Sequence, residues 1–118
     1  CEVVMTIRDM IDKLDCSLEA GTEEMLDREI TGVYCCDLLS HAMAKLDPGN
    51  VWITIHTNLN VVAIASLTDV ACVLVAESIE IEEQSLARAV EKQVVMLSSA
   101  KTAAELSFEL YCLLRKAE

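Results

Sequence analysis

The sequence predicts one three-layer α/β domain over residues 1–118, a mostly parallel sheet with helices on both faces, and three observations predict it. From Ile30 onward strand-like and helix-like patterns alternate, strand first, to the end of the chain. Residues 71–76 are apolar at every position, as a strand buried on both faces of a parallel sheet must be. The length of 118 residues, 53% of them hydrophobic, suffices for one core without disulfide staples.

Thr6 and Asp9 form a capping arrangement that opens a first helix, with Ile7, Met10, Ile11 and Leu14 on one face. Residues 16–19 suit a short strand, and Gly21 marks a turn. Residues 30–35 are β-prone. Asp37 is placed to cap a second helix running to Leu46, whose expected buried stripe is Leu38, Leu39, Ala42, Met43 and Leu46. Asp47-Pro48-Gly49-Asn50 has turn chemistry, because proline presets φ while Gly or Asn accepts a positive one.

Residues 51–55 follow as a strand, and Asn58 or Asn60 can cap a helix over residues 61–67. That helix is Val, Ala, Ile and Leu on nearly every side, so two of its faces must be covered. Beyond the apolar strand at 71–76, Glu80, Glu82 and Glu83 gather at the start of a helix reaching Lys92, where negative charge suits the dipole. Residues 94–97 make the final strand. Thr102 with Glu105 forms a capping box for the terminal helix.

Nine basic against twenty acidic residues give a net charge of -11. Such a surface repels nucleic-acid phosphates and anionic membranes, so neither is an expected partner. No apolar run of spanning length and no basic leader occurs in the sequence, and the chain reads as cytoplasmic. Six cysteines (Cys1, Cys16, Cys35, Cys36, Cys72 and Cys112) include no C-x-x-C pair. Reduced structural thiols are the expectation, with Cys72 and Cys112 acting as small hydrophobes.

Asp27-Arg28-Glu29-Ile30-Thr31-Gly32-Val33, running into Asp37-Leu38-Leu39-Ser40, resembles the signature segment of the DRTGG domain. Asp27, Arg28, Thr31 and Gly32 stand where the pattern asks, and Val33 replaces its second glycine. The blocks Val51-Trp52-Ile53-Thr54-Ile55-His56-Thr57 and Asn60-Val61-Val62-Ala63 extend the likeness over nearly the whole chain. It implies a fold like the amino-terminal, non-catalytic domain of HPr kinase/phosphorylase, whose kinase activity belongs to a separate P-loop domain. This chain has neither G-x-x-x-x-G-K-[ST] nor G-x-G-x-x-G. Relatives of the domain occur beside CBS domains in regulatory pyrophosphatases and next to phosphotransacetylase domains. Others are stand-alone clostridial proteins, some near iron-only hydrogenase genes. The resemblance therefore implies an accessory, non-enzymatic role.

In an open parallel sheet the ligand crevice lies beyond the carboxyl ends of the strands. Those ends supply Cys36 and Asp37, then His56, Thr57 and Asn58, then Glu77 and Ser78, then Ser98, Ser99 and Lys101. Hydroxyls and amides next to helix amino ends suit a small anionic metabolite or nucleotide, so His56, Thr57, Asn58, Ser98, Ser99 and Lys101 are the candidate ligand-binding set. Asp27, Arg28, Thr31 and Gly32 precede or begin their strand, which assigns them a structural or interface role, with Arg28 holding Asp27 or a neighbouring carboxylate. No cofactor is implied. A competing reading makes the protein a redox or iron–sulfur accessory using Cys35, Cys36 and His56; His41 reads as a surface or capping residue. Apolar residues on the helix at 61–67 and on the terminal helix predict a homodimer, with a small-molecule effector and a protein partner as further expectations.

Overall fold

The computed structural model describes residues 4–117, and Cys1 lies outside them. Its elements run α1 (Ile7–Lys13), β1 (Ser17–Ala20), a 3-10 turn (Glu23–Asp27), β2 (Gly32–Cys35), α2 (Leu39–Lys45), β3 (Asn50–Thr54), α3 (Leu59–Thr68), β4 (Cys72–Val75), α4 (Glu83–Lys92), β5 (Met96–Ser98) and α5 (Ala103–Ala117). One five-stranded sheet in the order β1-β5-β4-β3-β2 joins them. β2, β3, β4 and β5 are parallel, whereas β1 pairs antiparallel with β5. The mostly parallel α/β architecture expected from the alternation is thus the observed one.

Because β2 to β5 are laid down in order across the sheet, three successive right-handed crossovers put α2, α3 and α4 on the same face. On that side Trp52, Val73, Val75 and Met96 of the sheet pack with Ala42, Val61, Val62, Ala65 and Ala89. α1 and α5 cover the other side, where Ile7, Met10, Leu106 and Leu110 meet Val51, Ile53, Cys72, Leu74 and Leu97. All four residues of β4 are buried, in agreement with its unbroken apolar run.

The position of α3 corrects the reason for expecting it to need a partner. It is the middle helix of its layer, flanked by α2 and α4, so its apolar sides are absorbed within one chain. An outer face of Leu59, Asn60, Ala63, Ser66 and Leu67 remains exposed. The stripe expected on α2 also changes. Ala42 and Leu46 are buried, but Leu38 and Met43 face solvent, because α2 lies over the margin of the sheet and has little to bury against. Asp37 does not cap α2, whose N-cap position is Leu38 without a side-chain bond.

The capping boxes at both ends of the chain are formed: Thr6 with Asp9, and Thr102 with Glu105. The turn before β3 closes as expected, with the Asp47 amide donating to Asn50 Oδ1 at 3.0 Å. Gly49 sits there at φ +84°, and a Cβ on it would lie 2.7 Å from Thr31 Cγ2 and Oγ1.

Candidate functional site

Beyond the carboxyl ends of β4 and β5 the loops leave a cleft of about 630 Å³. It lies where the chain's crossovers change side: α4 reaches β5 on one face, and α5 leaves β5 for the other. Such a change of winding direction opens a crevice in α/β sheets. β1 forms the third wall, since its antiparallel pairing sets Ser17 opposite Ser98.

The loop between β4 and α4 is shaped by two successive left-handed residues, Glu77 (φ 61°) and Ser78 (φ 56°). Their amides donate to the carbonyls of Lys101 and Ser99, each at 2.9 Å, which ties this loop to the one after β5. Two non-glycine residues held in that region mark a loop whose shape is imposed by its surroundings. The cleft is lined by Ser17, Ser78, Ser98 and Ser99, by the acidic residues Asp15, Glu19, Glu80 and Glu83, and by apolar residues including Ile79, Ile81 and Leu86. No Lys, Arg or His is among these lining residues.

The six residues expected to bind a ligand are divided by the structure. Ser98 and Ser99 line the cleft, Ser98 donating to Glu19 Oε2 at 2.8 Å. Ser99 is buried; its hydroxyl donates to the Asp15 carbonyl at 2.7 Å and accepts from the Lys101 amide at 3.1 Å. Lys101 turns to the α5 side instead, where Nζ meets Glu109 Oε1 at 2.7 Å. That carboxylate raises the lysine's pKa and neutralises the charge an anion would need. Asn58 is the N-cap of α3, its Oδ1 accepting from the amides of Asn60 and Val61. The Thr57 carbonyl accepts from the buried Ser85 hydroxyl, and His56 is exposed with its amide on Thr54 Oγ1. None of these four lines the cleft.

Asp37 has a different task from the cap expected of it. Its Oδ1 accepts from the Thr54 hydroxyl at 2.7 Å and from the Ile55 amide at 3.0 Å, joining the loop after β2 to the end of β3.

The signature residues sit at the opposite, amino end of the sheet. Arg8, not Arg28, holds Asp27, at 3.2 Å, and also holds Glu23 at 2.8 Å. Arg28 reaches across to the Gln93 carbonyl at 2.9 Å, where α4 ends in a left-handed residue and β5 is about to begin. Thr31 bonds the turn before β3 twice: its hydroxyl donates to the Pro48 carbonyl and its amide to the Gly49 carbonyl, both at 2.9 Å. Gly32 is the first residue of β2, paired with Asn50. Val33 pairs with Val51 in the ladder, with none of the positive φ that a glycine would be needed for.

Cys35 and Cys36 point to opposite faces of the sheet, as neighbours in a strand do. Cys35 reaches Ser107 of α5, while Cys36 packs on the layer of α2 and α3. Burial, with Asp37 nearby, pushes the Cys35 thiol up. Burial likewise lifts Cys16 to about 11 and raises Cys72 strongly. Such thiols are protonated at neutral pH and poor nucleophiles. Among the described residues no group of three or more His, Cys, Asp or Glu side chains is placed to hold a metal ion. Cys72 is buried as expected, but Cys112 lies on the exposed face of α5.

Asp15, Ser17 and Glu19 escaped the sequence reading. Ser17 and Glu19 belong to β1 and Asp15 to the segment just before it, ahead of the alternating region, and the antiparallel addition of β1 beside β5 has no local signature. Glu80 and Glu83 were visible as helix-start acids, but nothing in their spacing separates that role from lining a cavity.

No helix among the described residues is long and apolar enough to cross a membrane. No protein-family model and no curated protein matches this sequence. Among solved structures, the chain is similar to the CBS and DRTGG domains of the regulatory region of Clostridium perfringens pyrophosphatase, solved with the activator diadenosine tetraphosphate. The TM-score is 0.74 at 11% sequence identity, over 89% of this chain and 45% of that one, so this chain spans less than half of the regulatory region. The likeness is one of fold, and it bears on regulatory CBS and DRTGG domains, not on HPr kinase/phosphorylase.

Proposed function

We propose that this chain is a non-enzymatic regulatory domain of the DRTGG type, which senses a small molecule in the cleft beyond β4 and β5 and acts as a dimer. The observation that carries the reading is the division of labour between the two ends of a fold shared with a regulatory region. At the amino end the signature side chains bond the domain's own backbone and Arg8, and Arg28 lines only a small cavity of about 140 Å³ with Asp69, Lys92 and Gln93, whereas the cleft at the carboxyl end reaches about 630 Å³. An effector site fits the cleft because serines and acidic residues line it together with apolar ones. The solved neighbour was crystallised with a nucleotide activator, which supports an effector role in kind.

The lining changes the class of ligand. Four carboxylates with no basic side chain oppose a free phosphate, since bringing like charges together in a partly desolvated cleft is costly. A polar molecule that is neutral or positively charged and rich in hydrogen-bond donors fits instead. A thermal-shift screen should therefore show polyamines, amino sugars or nucleosides raising the melting temperature, because a ligand of the folded state stabilises it by mass action. Stabilisation by acyl phosphates or inorganic phosphate alone, abolished on changing His56 or Lys101 and indifferent to Glu80, would instead restore the anionic site expected from the sequence.

A further inference from the structure

We infer that two copies of the chain pair through β2, edge to edge and antiparallel, with the outer flank of α5 covering the seam. The inference rests on the dimeric reading above and names its surface. β2 is the outermost strand, and no strand among the described residues lies beyond it. The Cys36 amide points inward, to the Ile53 carbonyl at 3.3 Å. By alternation the amides and carbonyls of Val33 and Cys35 point outward, unpaired. A two-fold axis at Tyr34 sets Val33 of each copy opposite Cys35 of the other, so that both exchange main-chain hydrogen bonds and the two sheets become one.

The two edges of the sheet are guarded differently. β1 carries exposed Glu19 and an irregular register between Leu18 and Ala20, and both devices discourage strand addition. β2 keeps a regular register and has no charge from Gly32 to Cys36. In a chain of net charge -11, like-charge repulsion opposes most approaches of a second copy. This strip is neutral.

The strip is also flanked by apolar surface. Ser107 of α5 contacts Cys35, and Tyr111, one turn further on, shares that flank. Tyr111 is 56% exposed, Phe108 beside it 70%, and Leu38 just past β2 65%. At roughly 150–250 Å² per aromatic side chain, Phe108 and Tyr111 of two copies bring on the order of 500 Å² to the seam. With Leu38, Cys35 and the strand edges the contact reaches the ~1,000 Å² that a specific interface needs.

Light scattering on the chain at tens of micromolar tests this, with a mass twice that of one chain expected. Cys35→Pro removes an outward amide while leaving the ladder to β3 intact. Phe108→Glu combined with Tyr111→Glu alters only exposed side chains, and it decides the matter should the proline variant fail to fold. Each should halve the mass with the far-ultraviolet circular dichroism retained. A monomeric parent chain would overturn the dimer and this surface together. A dimeric parent whose double glutamate variant stays dimeric would overturn the surface alone.

Discussion

The two ends of the sheet use similar polar residues for opposite purposes. At the amino end Arg28, Thr31 and Arg8 are spent on carbonyls and carboxylates of the same chain, joining the starts of β2, β3 and β5 into one bonded layer. At the carboxyl end Ser98, Glu19, Glu80 and Glu83 leave a cavity of about 630 Å³ between them. The segment that resembles a signature bonds the strand starts together, while the wider opening lies at the other end of the sheet. Crossing strand starts requires carbonyls of Gly49, Pro48 and Gln93 to be satisfied from outside their own ladders.

If the amino end is the scaffold, its tightest contact should be the most sensitive. Gly49→Ala forces a positive φ on a residue with a Cβ and drives that atom to 2.7 Å from Thr31. Left-handed strain and overpacking together should cost about 2–4 kcal/mol, lowering the melting temperature by on the order of 10–20 °C. Gly32→Ala meets only Asn50 Nδ2 at 3.3 Å, and should cost much less. Equal urea midpoints for the two variants would remove the Thr31–Gly49 contact from the account of the signature.

Ser99 breaks the comparison in an instructive way. It lines the cleft, yet it is buried and its hydroxyl satisfies two backbone groups. Ser99→Ala should therefore cost about 1–3 kcal/mol, the usual penalty for stranding buried polar partners. Its neighbour Ser98, bonded only to the exposed Glu19, should tolerate alanine with almost no change in the urea midpoint. A Ser99→Ala variant as stable as the parent would show that water replaces the hydroxyl and that this part of the cleft is wet.

The parts of the fold legible in the sequence were those written in local periodicity. The alternation after Ile30, the buried run at 71–76, both capping boxes and the turn at 47–50 depend on neighbouring residues and were readable as such. What escaped depends on pairing across the chain. That α3 is a middle helix follows from strand order, which no helical pattern contains. That Asp37 bonds Thr54 and Ile55 instead of its own helix depends on β3 lying beside it. The carboxyl-end location of the cleft was legible from topology alone, but its charge was not, because Asp15, Ser17 and Glu19 arrive from outside the alternating region. Lys101 looked available in sequence; Glu109, eight residues on, claims it through the first turns of α5.

Arg28→Ala sharpens the amino-end half of the comparison at smaller cost. Arg28 is half-buried as a residue, but its guanidinium donates to a single carbonyl at 2.9 Å in an exposed bond, so a loss of no more than about 1 kcal/mol is expected. Thr31→Val, which keeps the volume and removes the hydroxyl bonded to the Pro48 carbonyl, should cost a similar amount. Neither should change the affinity of a ligand that stabilises the parent chain. A fall in affinity on Arg28→Ala, measured calorimetrically against an unchanged Glu80 variant, would move the site to the amino end.

The smallest effect on stability, and the largest on recognition, belongs to the paired change Glu80→Gln with Glu83→Gln. Two terms of opposite sign meet there. Glu83 lies in the first turn of α4, where its charge against the helix dipole stabilises by about 0.3–1 kcal/mol. Against this, both carboxylates line a cleft that Asp15 and Glu19 also line, in a chain of net charge -11, and neutralising them relieves repulsion of comparable size. The terms should cancel to within about 0.5 kcal/mol, the range of an ordinary surface substitution. Binding has no such cancellation, because a cation in the cleft loses two attractive charges and gains nothing. Calorimetric titration with a polyamine should accordingly weaken by roughly tenfold or more, about 1.4 kcal/mol, and the deficit should shrink as salt rises. An affinity that is unchanged or improved in the double variant would mean that the acidic lining repels the true ligand and that the anionic class, set aside on charge, is the correct one.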